Sequence, residues 1–173
     1  MTDEQLRIRG YLVAQGAKLS PVEIVDKVRA AMDQLRAATD AVPAARFDER
    51  PAAEEWSANE VMAHVVLAGH HFGGAIARLL DGLPASGVRD RLERDVPRRS
   101  AAEWWALLEG DRAALFARVR EADPQGRPEG TVEHPFFGPL NWREALLFMR
   151  LHDLDHAGQM EKIGAALSAA RPA

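Results

Sequence analysis

The chain has 173 residues, a formal net charge of −4, 47% hydrophobic and 28% charged residues, and no cysteine. A chain of this length can bury the core of one compact domain. The lack of cysteine excludes disulfides, cysteine-bound zinc, iron–sulfur clusters and a thiol nucleophile of the protein's own. Acidic residues (26) outnumber basic ones (22), the opposite of the balance usual in nucleic-acid-binding proteins.

The N-terminal residues do not resemble a targeting segment. They lack a basic stretch followed by an apolar one, and no segment approaches 18 uncharged apolar residues. We therefore expect a cytoplasmic protein with no signal peptide and no membrane span.

Capping boxes mark the predicted helix starts in chain order. In this motif a Ser, Thr or Asn side chain accepts from the backbone N–H three residues on, and the Glu or Gln there reaches back. Thr2-Asp-Glu-Gln5 predicts a short N-terminal helix that ends near Gly16. Four further boxes predict the starts of four longer helices: Ser20 to Glu23, Ser57 to Glu60, Ser100 to Glu103 and Asn141 to Glu144.

Apolar residues recur with a helical period after each of the four longer boxes. In the last segment the buried seam repeats in steps of three and four: Trp142, Ala145, Met149, His152, His156, Gln159 and Ile163. No strand alternation is evident, so we predict an all-α fold, a four-helix bundle with a short extra N-terminal helix. The long connections at residues 43–56, 82–99 and 122–140 are typical of functional segments.

Two histidines occupy the predicted seam of the last helix. His152 and His156 are four residues apart, so their rings share one helix face and can bind one cation together. A buried polar ring must be satisfied, because leaving it without a partner costs about 1–3 kcal/mol. Their position in an apolar seam therefore favours a metal site more than the spacing alone does.

His64 is the best candidate for a third ligand. It lies on a stripe of the second long helix in an otherwise apolar segment: Val61, His64, Ala68, His71 and Ala75. One imidazole from this helix and two from the last would form an open three-nitrogen site, with a position left for water or substrate. A structural histidine hydrogen-bonded to a backbone carbonyl is the alternative interpretation of His64.

Two polar residues are candidates for the surroundings of this site. Gln159 follows His156 by three residues, so it either orients that ligand or closes the bundle end with a hydrogen bond. His71 lies about 10 Å along the helix axis from His64. That is too far for the same metal, so His71 either lines the substrate cavity or packs as an ordinary histidine.

The remaining polar residues near the histidines have less defined roles. Asp153 and Asp155 project to other helix faces than the histidines, and we expect solvated or capping roles for them rather than support of a ligand. His134 stands in an aromatic loop just before the last helix and is a candidate for the border of the pocket. A di-iron carboxylate site is disfavoured, because no glutamate stands three residues before His152 or His156.

Three stretches carry a family resemblance when they are taken together. They are Trp56-Ser-Ala-Asn-Glu-Val-Met-Ala-His64, His134-Pro-Phe-Phe-Gly-Pro-Leu140, and Trp142-Arg-Glu followed by His152-Asp-Leu-Asp-His156-Ala-Gly-Gln159. In order and spacing they resemble the DinB-like (YfiT-type) metal-binding four-helix-bundle superfamily. The resemblance covers about residues 20–165 of a domain predicted over 1–173. It implies a zinc or nickel ion on His64, His152 and His156, and a homodimer.

The resemblance also implies a reaction class. Better-understood members resemble thiol S-transferases, which join mycothiol, bacillithiol or glutathione to an electrophile, or maleylpyruvate isomerases with a thiol cofactor. A cation held by three neutral imidazoles keeps its charge and deprotonates a bound thiol, so we predict a metal-dependent thiol S-transferase acting on a small molecule. Two alternatives remain: a hydrolase that uses metal-bound hydroxide, and a non-catalytic metal-binding stress or ligand-binding protein.

Overall fold

The computed structural model describes residues 1–85, 95–123 and 129–169. These residues form helices α1 (Asp3–Lys18), α2 (Pro21–Asp40), α3 (Ala58–Leu80), α4 (Ala101–Arg120) and α5 (Trp142–Ala169), with a 3₁₀ turn at Ala44–Arg46. Strands β1 (Thr131–His134) and β2 (Gly138–Asn141) precede α5. Residues 86–94 of the predicted connection 82–99, and 124–128 of the connection 122–140, lie outside the described residues.

The helices begin where the capping boxes predict. Both hydrogen bonds of the box are present at Thr2, Ser20, Ser57 and Ser100. At the start of α5, the Asn141 side-chain oxygen accepts from the N–H groups of Arg143 (2.9 Å) and Glu144 (3.0 Å). The Glu144 carboxylate accepts from the Asn141 N–H at 3.1 Å, which completes the box. Local sequence therefore sets where each of the five helices starts.

Four helices pack as a bundle around one apolar core. The adjacent pairs are α2 with α5, α5 with α3, α3 with α4, and α4 with α2, while α1 lies against α5 on the outside. This order places α4 diagonally opposite α5 across the core. The predicted all-α four-helix bundle with an extra N-terminal helix is confirmed.

The expectation that the chain contains no strand is wrong. β1 and β2 form an antiparallel hairpin in which Thr131 pairs with Asn141 and His134 with Gly138. Gly138 has a φ of 68°, in the left-handed region that glycine adopts without strain. Val132 and Leu140 are fully buried, so the hairpin closes the end of the core beside the start of α5.

Helix α3 is buried along most of its length between α4 and α5. Its first residues are held by Asn59, which is 3% exposed. The Asn59 Oδ1 accepts from the Trp104 indole N–H (2.7 Å) and the Arg99 backbone N–H (3.1 Å), while its Nδ2 donates to the Pro97 carbonyl (3.2 Å). These bonds fix the N-terminal ends of α3 and α4 together. In the parts of the chain that the structure describes, no helix has the length and apolar character needed to cross a bilayer.

Candidate metal centre

Three imidazoles meet in the bundle core between α3 and α5. The Nε2 atom of His152 lies 3.0 Å from Nε2 of His64 and 3.2 Å from Nε2 of His156. One nitrogen from each ring lies within 4.8 Å of the other two. His64 and His156 are buried and His152 is half-buried. The structure thus brings together all three residues that the sequence nominates as ligands.

Gln159 fixes the tautomer of one of these rings. Its Oε1 lies 2.8 Å from Nδ1 of His156, and an amide oxygen can only accept. A neutral His156 therefore carries its proton on Nδ1 and presents a lone pair at Nε2. This contact matches the first of the two roles expected for Gln159, orienting a ligand.

The three nitrogens cannot all be satisfied by one another. Because His156 offers a lone pair, His152 can donate its single Nε2 proton either to His156 or to His64. The apposed Nε2 atoms therefore share too few protons for two good hydrogen bonds. A cation that accepts a lone pair from each ring removes this conflict.

The spacing of the nitrogens suits a small divalent cation. Zinc–imidazole bonds are about 2.0–2.1 Å long, so two nitrogens at tetrahedral positions lie about 3.3 Å apart. The observed separations of 3.0 and 3.2 Å are close to that value. Three neutral nitrogen donors also suit zinc and nickel by ligand type. The residues present therefore fit the metal that the sequence predicts.

The surroundings keep His152 neutral. Burial lowers the pKa of His152 well below its usual value, and the neighbouring His156 and His64 rings, followed by the Arg112 charge, lower it further. A neutral imidazole is the form that binds metal, so the site does not need to release a proton from His152 near neutral pH.

Aromatic rings enclose the triad on two sides. Trp56 packs edge-on against His64, with ring centroids 5.4 Å apart. Phe148, one turn before His152 on α5, lies 5.9 Å from that ring. Apolar walls of this kind restrict water and lower the local dielectric constant. Nothing in the spacing of Trp56 along the sequence distinguishes a wall of this site from an ordinary core position.

His134 lies behind Phe148 rather than among the ligands. Its ring packs against those of Phe148 and Phe137, with ring centroids 4.3 Å and 4.7 Å away. Its Nδ1 accepts from the backbone N–H groups of Phe136 (3.1 Å) and Phe137 (3.3 Å). These contacts give His134 a part in shaping the hairpin turn, while a contact with substrate stays a prediction.

The other two histidines of α3 lie outside the triad. His71 is half-buried, and its ring centroid lies 6.2 Å from that of His70. His70 is exposed, and its Nδ1 lies 3.0 Å from a carboxylate oxygen of Asp111. Among the described residues, the set able to hold a metal together is His64, His152 and His156.

The expected solvated or capping role is wrong for Asp153, although Asp155 is exposed. Asp153 has no exposed surface, and its two oxygens lie 3.0 and 3.2 Å from Nη2 of Arg112 on α4. Burial raises the pKa of Asp153 to about 6, although the Arg112 charge and hydrogen bonds act in the opposite direction. Arg112 stands four residues after Leu108 and three before Leu115, so a charge in an apolar stripe was the available signal.

A second ion pair missed by sequence reasoning lies four residues before His64. The Glu60 side chain is 6% exposed and accepts from Nε of Arg50 at 2.9 Å and from the Ser57 backbone N–H at 2.8 Å. Burial would raise the pKa of Glu60, but the Arg50 and Ser57 hydrogen bonds hold it below its usual value. Glu60 thus joins the connection before α3 to the helix that carries His64.

Comparisons with known proteins agree with this architecture. The family model of the DinB superfamily matches residues 27–160. The chain belongs to the DinB superfamily. Its members often bind metal. The chain is also similar to a solved structure described as "TT2238, a four-helix bundle protein", with a TM-score of 0.64 and 25% identity over 83% of this chain and 99% of that one. A search of curated protein sequences finds no match.

Proposed function

We propose that this DinB superfamily protein is a divalent-metal-dependent enzyme that transfers a low-molecular-weight thiol to an electrophilic small molecule. The observation that carries the metal part is the convergence of three Nε2 atoms from α3 and α5 in the core. The resemblance noted in the sequence supports the thiol part.

The chain's own residues supply a neutral, oriented donor set. His64, His152 and His156 would hold the ion, and Gln159 keeps the Nε2 lone pair of His156 directed toward it. The ion, when bound, would lower the pKa of a thiol that it coordinates and so make a thiolate available near neutral pH. Trp56 and Phe148 limit the access of water from their sides.

The absence of cysteine is consistent with a thiol brought by a cosubstrate. The chain has no sulfur nucleophile of its own, so the attacking sulfur must enter the site from solution. In the transfer step the thiolate sulfur forms a bond to the electrophilic carbon. The thiol proton is lost to solvent, and the electron pair moves to the leaving group or the adjacent conjugated system.

Metal binding is tested by elemental analysis of protein purified without a histidine tag. We expect about one zinc or nickel ion per chain in the wild type and almost none in a His152→Ala/His156→Ala variant. A His70→Ala/His71→Ala variant, with the same number of histidines removed from α3, serves as the control and should keep its metal. Equal metal content in wild type and the triad variant would overturn the metal site.

Transfer is tested by incubating the metal-loaded protein with mycothiol, bacillithiol or glutathione and a chromogenic electrophile. We expect thiol consumption that is faster with wild type than with the triad variant. A metal-dependent release of product from esters or amides, with no thiol consumption, would replace the transferase proposal with a hydrolase. Inertness in both assays would leave a metal-binding protein without catalysis.

A further inference from the structure

A buried ion pair crosses the core beside the three histidines. Arg112 of α4 is 2% exposed and Asp153 of α5 is fully buried. The Arg112 Nη2 atom donates to both carboxylate oxygens, at 3.0 and 3.2 Å. Because α4 and α5 stand diagonally opposite each other in the bundle, this pair joins two helices that are not packed side by side.

Stability does not account for this pair. Two further nitrogens of Arg112, Nε and Nη1, are buried and have no hydrogen-bond partner within residues 1–85, 95–123 and 129–169. Each buried donor left without a partner costs about 1–3 kcal/mol. Replacing a buried ion pair by apolar side chains is often neutral or stabilising. A pair with unsatisfied donors is therefore weak evidence for a stabilising role, and its position in the fold is the better guide to what it does.

The position of Asp153 points to the ligands. It directly follows His152 and stands three residues before His156, so its carboxylate belongs to the helical turn that carries both rings. One turn earlier on the outer side, Arg150 donates to the Tyr11 hydroxyl of α1 at 3.0 Å. This stretch of α5 is thus bound to α1 on its outer side and to α4 across the core.

Arg112 also faces the helix that carries the third ligand. A Cβ built on Gly69 of α3 would lie 3.6 Å from Nη2 and 3.8 Å from Nε of Arg112, so only the space left by a missing side chain separates the guanidinium from the α3 backbone. Gly69 lies five residues after His64. One side chain of α4, a helix with no ligand of its own, therefore binds α5 through Asp153 and lies close to the backbone of α3.

We propose that Arg112 is a positioning residue for the metal centre. By binding Asp153 and filling the space beside Gly69, it holds α3 and α5 so that the nitrogens of His64, His152 and His156 converge before an ion arrives. The inference rests on the proposed metal-binding function, and it assigns Arg112 no contact with the ion or with substrate.

A charge effect would act in the opposite direction from a positioning effect. The Arg112 cation binds Asp153, the residue that follows His152, so its field would reach the site. If only this field mattered, removing the cation would leave the affinity for a divalent ion unchanged or increase it. If Arg112 positions the ligands, its removal must weaken metal binding.

The test is a cobalt(II) titration of apoprotein, followed by the d–d absorption of the bound ion. We expect Arg112→Met to weaken cobalt binding by about tenfold or more, as for other residues that orient metal ligands. Arg112→Lys keeps the charge and one nitrogen for Asp153, so it should retain most of the affinity. Arg118→Met is the matched control, because Arg118 also lies on α4 and pairs with an aspartate, Asp81, at the surface. It should bind cobalt like the wild type.

An Arg112→Met/Asp153→Leu variant separates positioning from stability. It replaces the pair with apolar side chains, so we expect it to resist urea as well as the wild type or better. It should still bind cobalt about tenfold more weakly and with an altered absorption spectrum. A stable double variant with wild-type affinity would overturn the positioning role alone, as would tighter binding by Arg112→Met. Failure of the wild type itself to bind cobalt would overturn the metal site and this inference together.

Discussion

Two regions of the molecule use partly or fully buried polar groups in opposite ways. At the outer face of α5, arginine side chains join α1 to the rest of the protein by donating hydrogen bonds to backbone carbonyl oxygens, which can only accept. Arg143 donates to the carbonyls of Gly16, at 2.6 Å, and Leu19, at the C-terminal end of α1, and Arg9 donates to the Phe137 carbonyl of the hairpin. In the core, three imidazoles face one another with too few protons to share.

This difference in hydrogen bonding distinguishes a region that stabilises the fold from a region that binds a ligand. At the α1 face the arginine nitrogens named above donate to backbone carbonyls, which is how a protein stabilises a junction between elements. At the triad the apposed Nε2 atoms compete for one proton, and at Arg112 two buried donors have no partner among the described residues. Conflicts of this kind concentrate where a protein binds or reacts. Each of the four experiments that follow perturbs one of these regions and measures metal binding, stability or both.

Adding and removing metal should have the largest effect. Zinc at a hundred times its Kd should raise the free energy of unfolding of wild-type protein by about 2.7 kcal/mol, because only the folded chain gathers the three ligands. The effect should vanish on chelation and be absent in His152→Ala/His156→Ala. Urea titrations with and without zinc measure it. Equal zinc stabilisation of the two proteins would contradict the division between the regions.

Arg143→Ala perturbs the α1 face alone. It leaves the last carbonyls of α1 without their donor, and we expect a loss of about 2 kcal/mol in the free energy of unfolding. Cobalt affinity of the folded variant should stay at the wild-type value. A variant that lost metal affinity as strongly as stability would show that the two regions are coupled.

Gln159→Leu perturbs the triad alone. Without the Oε1 acceptor, the His156 proton is no longer held on Nδ1, and metal affinity should fall about tenfold, or about 1.4 kcal/mol. Unfolding of the metal-free protein should change little. Gln34→Leu, at an exposed position of α2, controls for the loss of an amide and should leave affinity unchanged. Equal affinity in both variants would remove Gln159 from the site.

The smallest effect concerns pH in the metal-free protein. Because the folded-state pKa of His152 lies below the unfolded value of about 6.5, the stability it contributes is present above pH 6.5 and is lost as the pH falls. Asp153, with its pKa raised to about 6, contributes with the opposite sign and loses stability as the pH rises toward that value. Comparing wild type with His152→Gln cancels the Asp153 contribution.

We expect the wild type to lose more stability than His152→Gln when the pH is lowered from 7.5 to 5.5 in the presence of a chelator. Urea unfolding at each pH, read by tryptophan fluorescence, measures the difference. Parallel stability curves for the two proteins would mean that His152 keeps an ordinary pKa in the folded state.

Much of the fold and of the site could be predicted from sequence because both depend on local spacing. Capping boxes fix helix starts within one residue, and steps of three and four place His152 and His156 on the inner face of α5. The hairpin was missed because each strand has four residues, too few for alternation to stand out. The partner of Asp153 was missed because spacing along α5 does not say which helix lies across the core.

Helix α5 runs unbroken for 28 residues, from the hairpin to beyond Gln159. Two of the three ligand rings and the glutamine that orients one of them therefore share a single rigid rod about 42 Å long. Any movement of this rod shifts those two rings together, and only His64 can change its distance from them. The distance between α3 and α5 is thus the main quantity that sets the size of the ion that the three rings can bind.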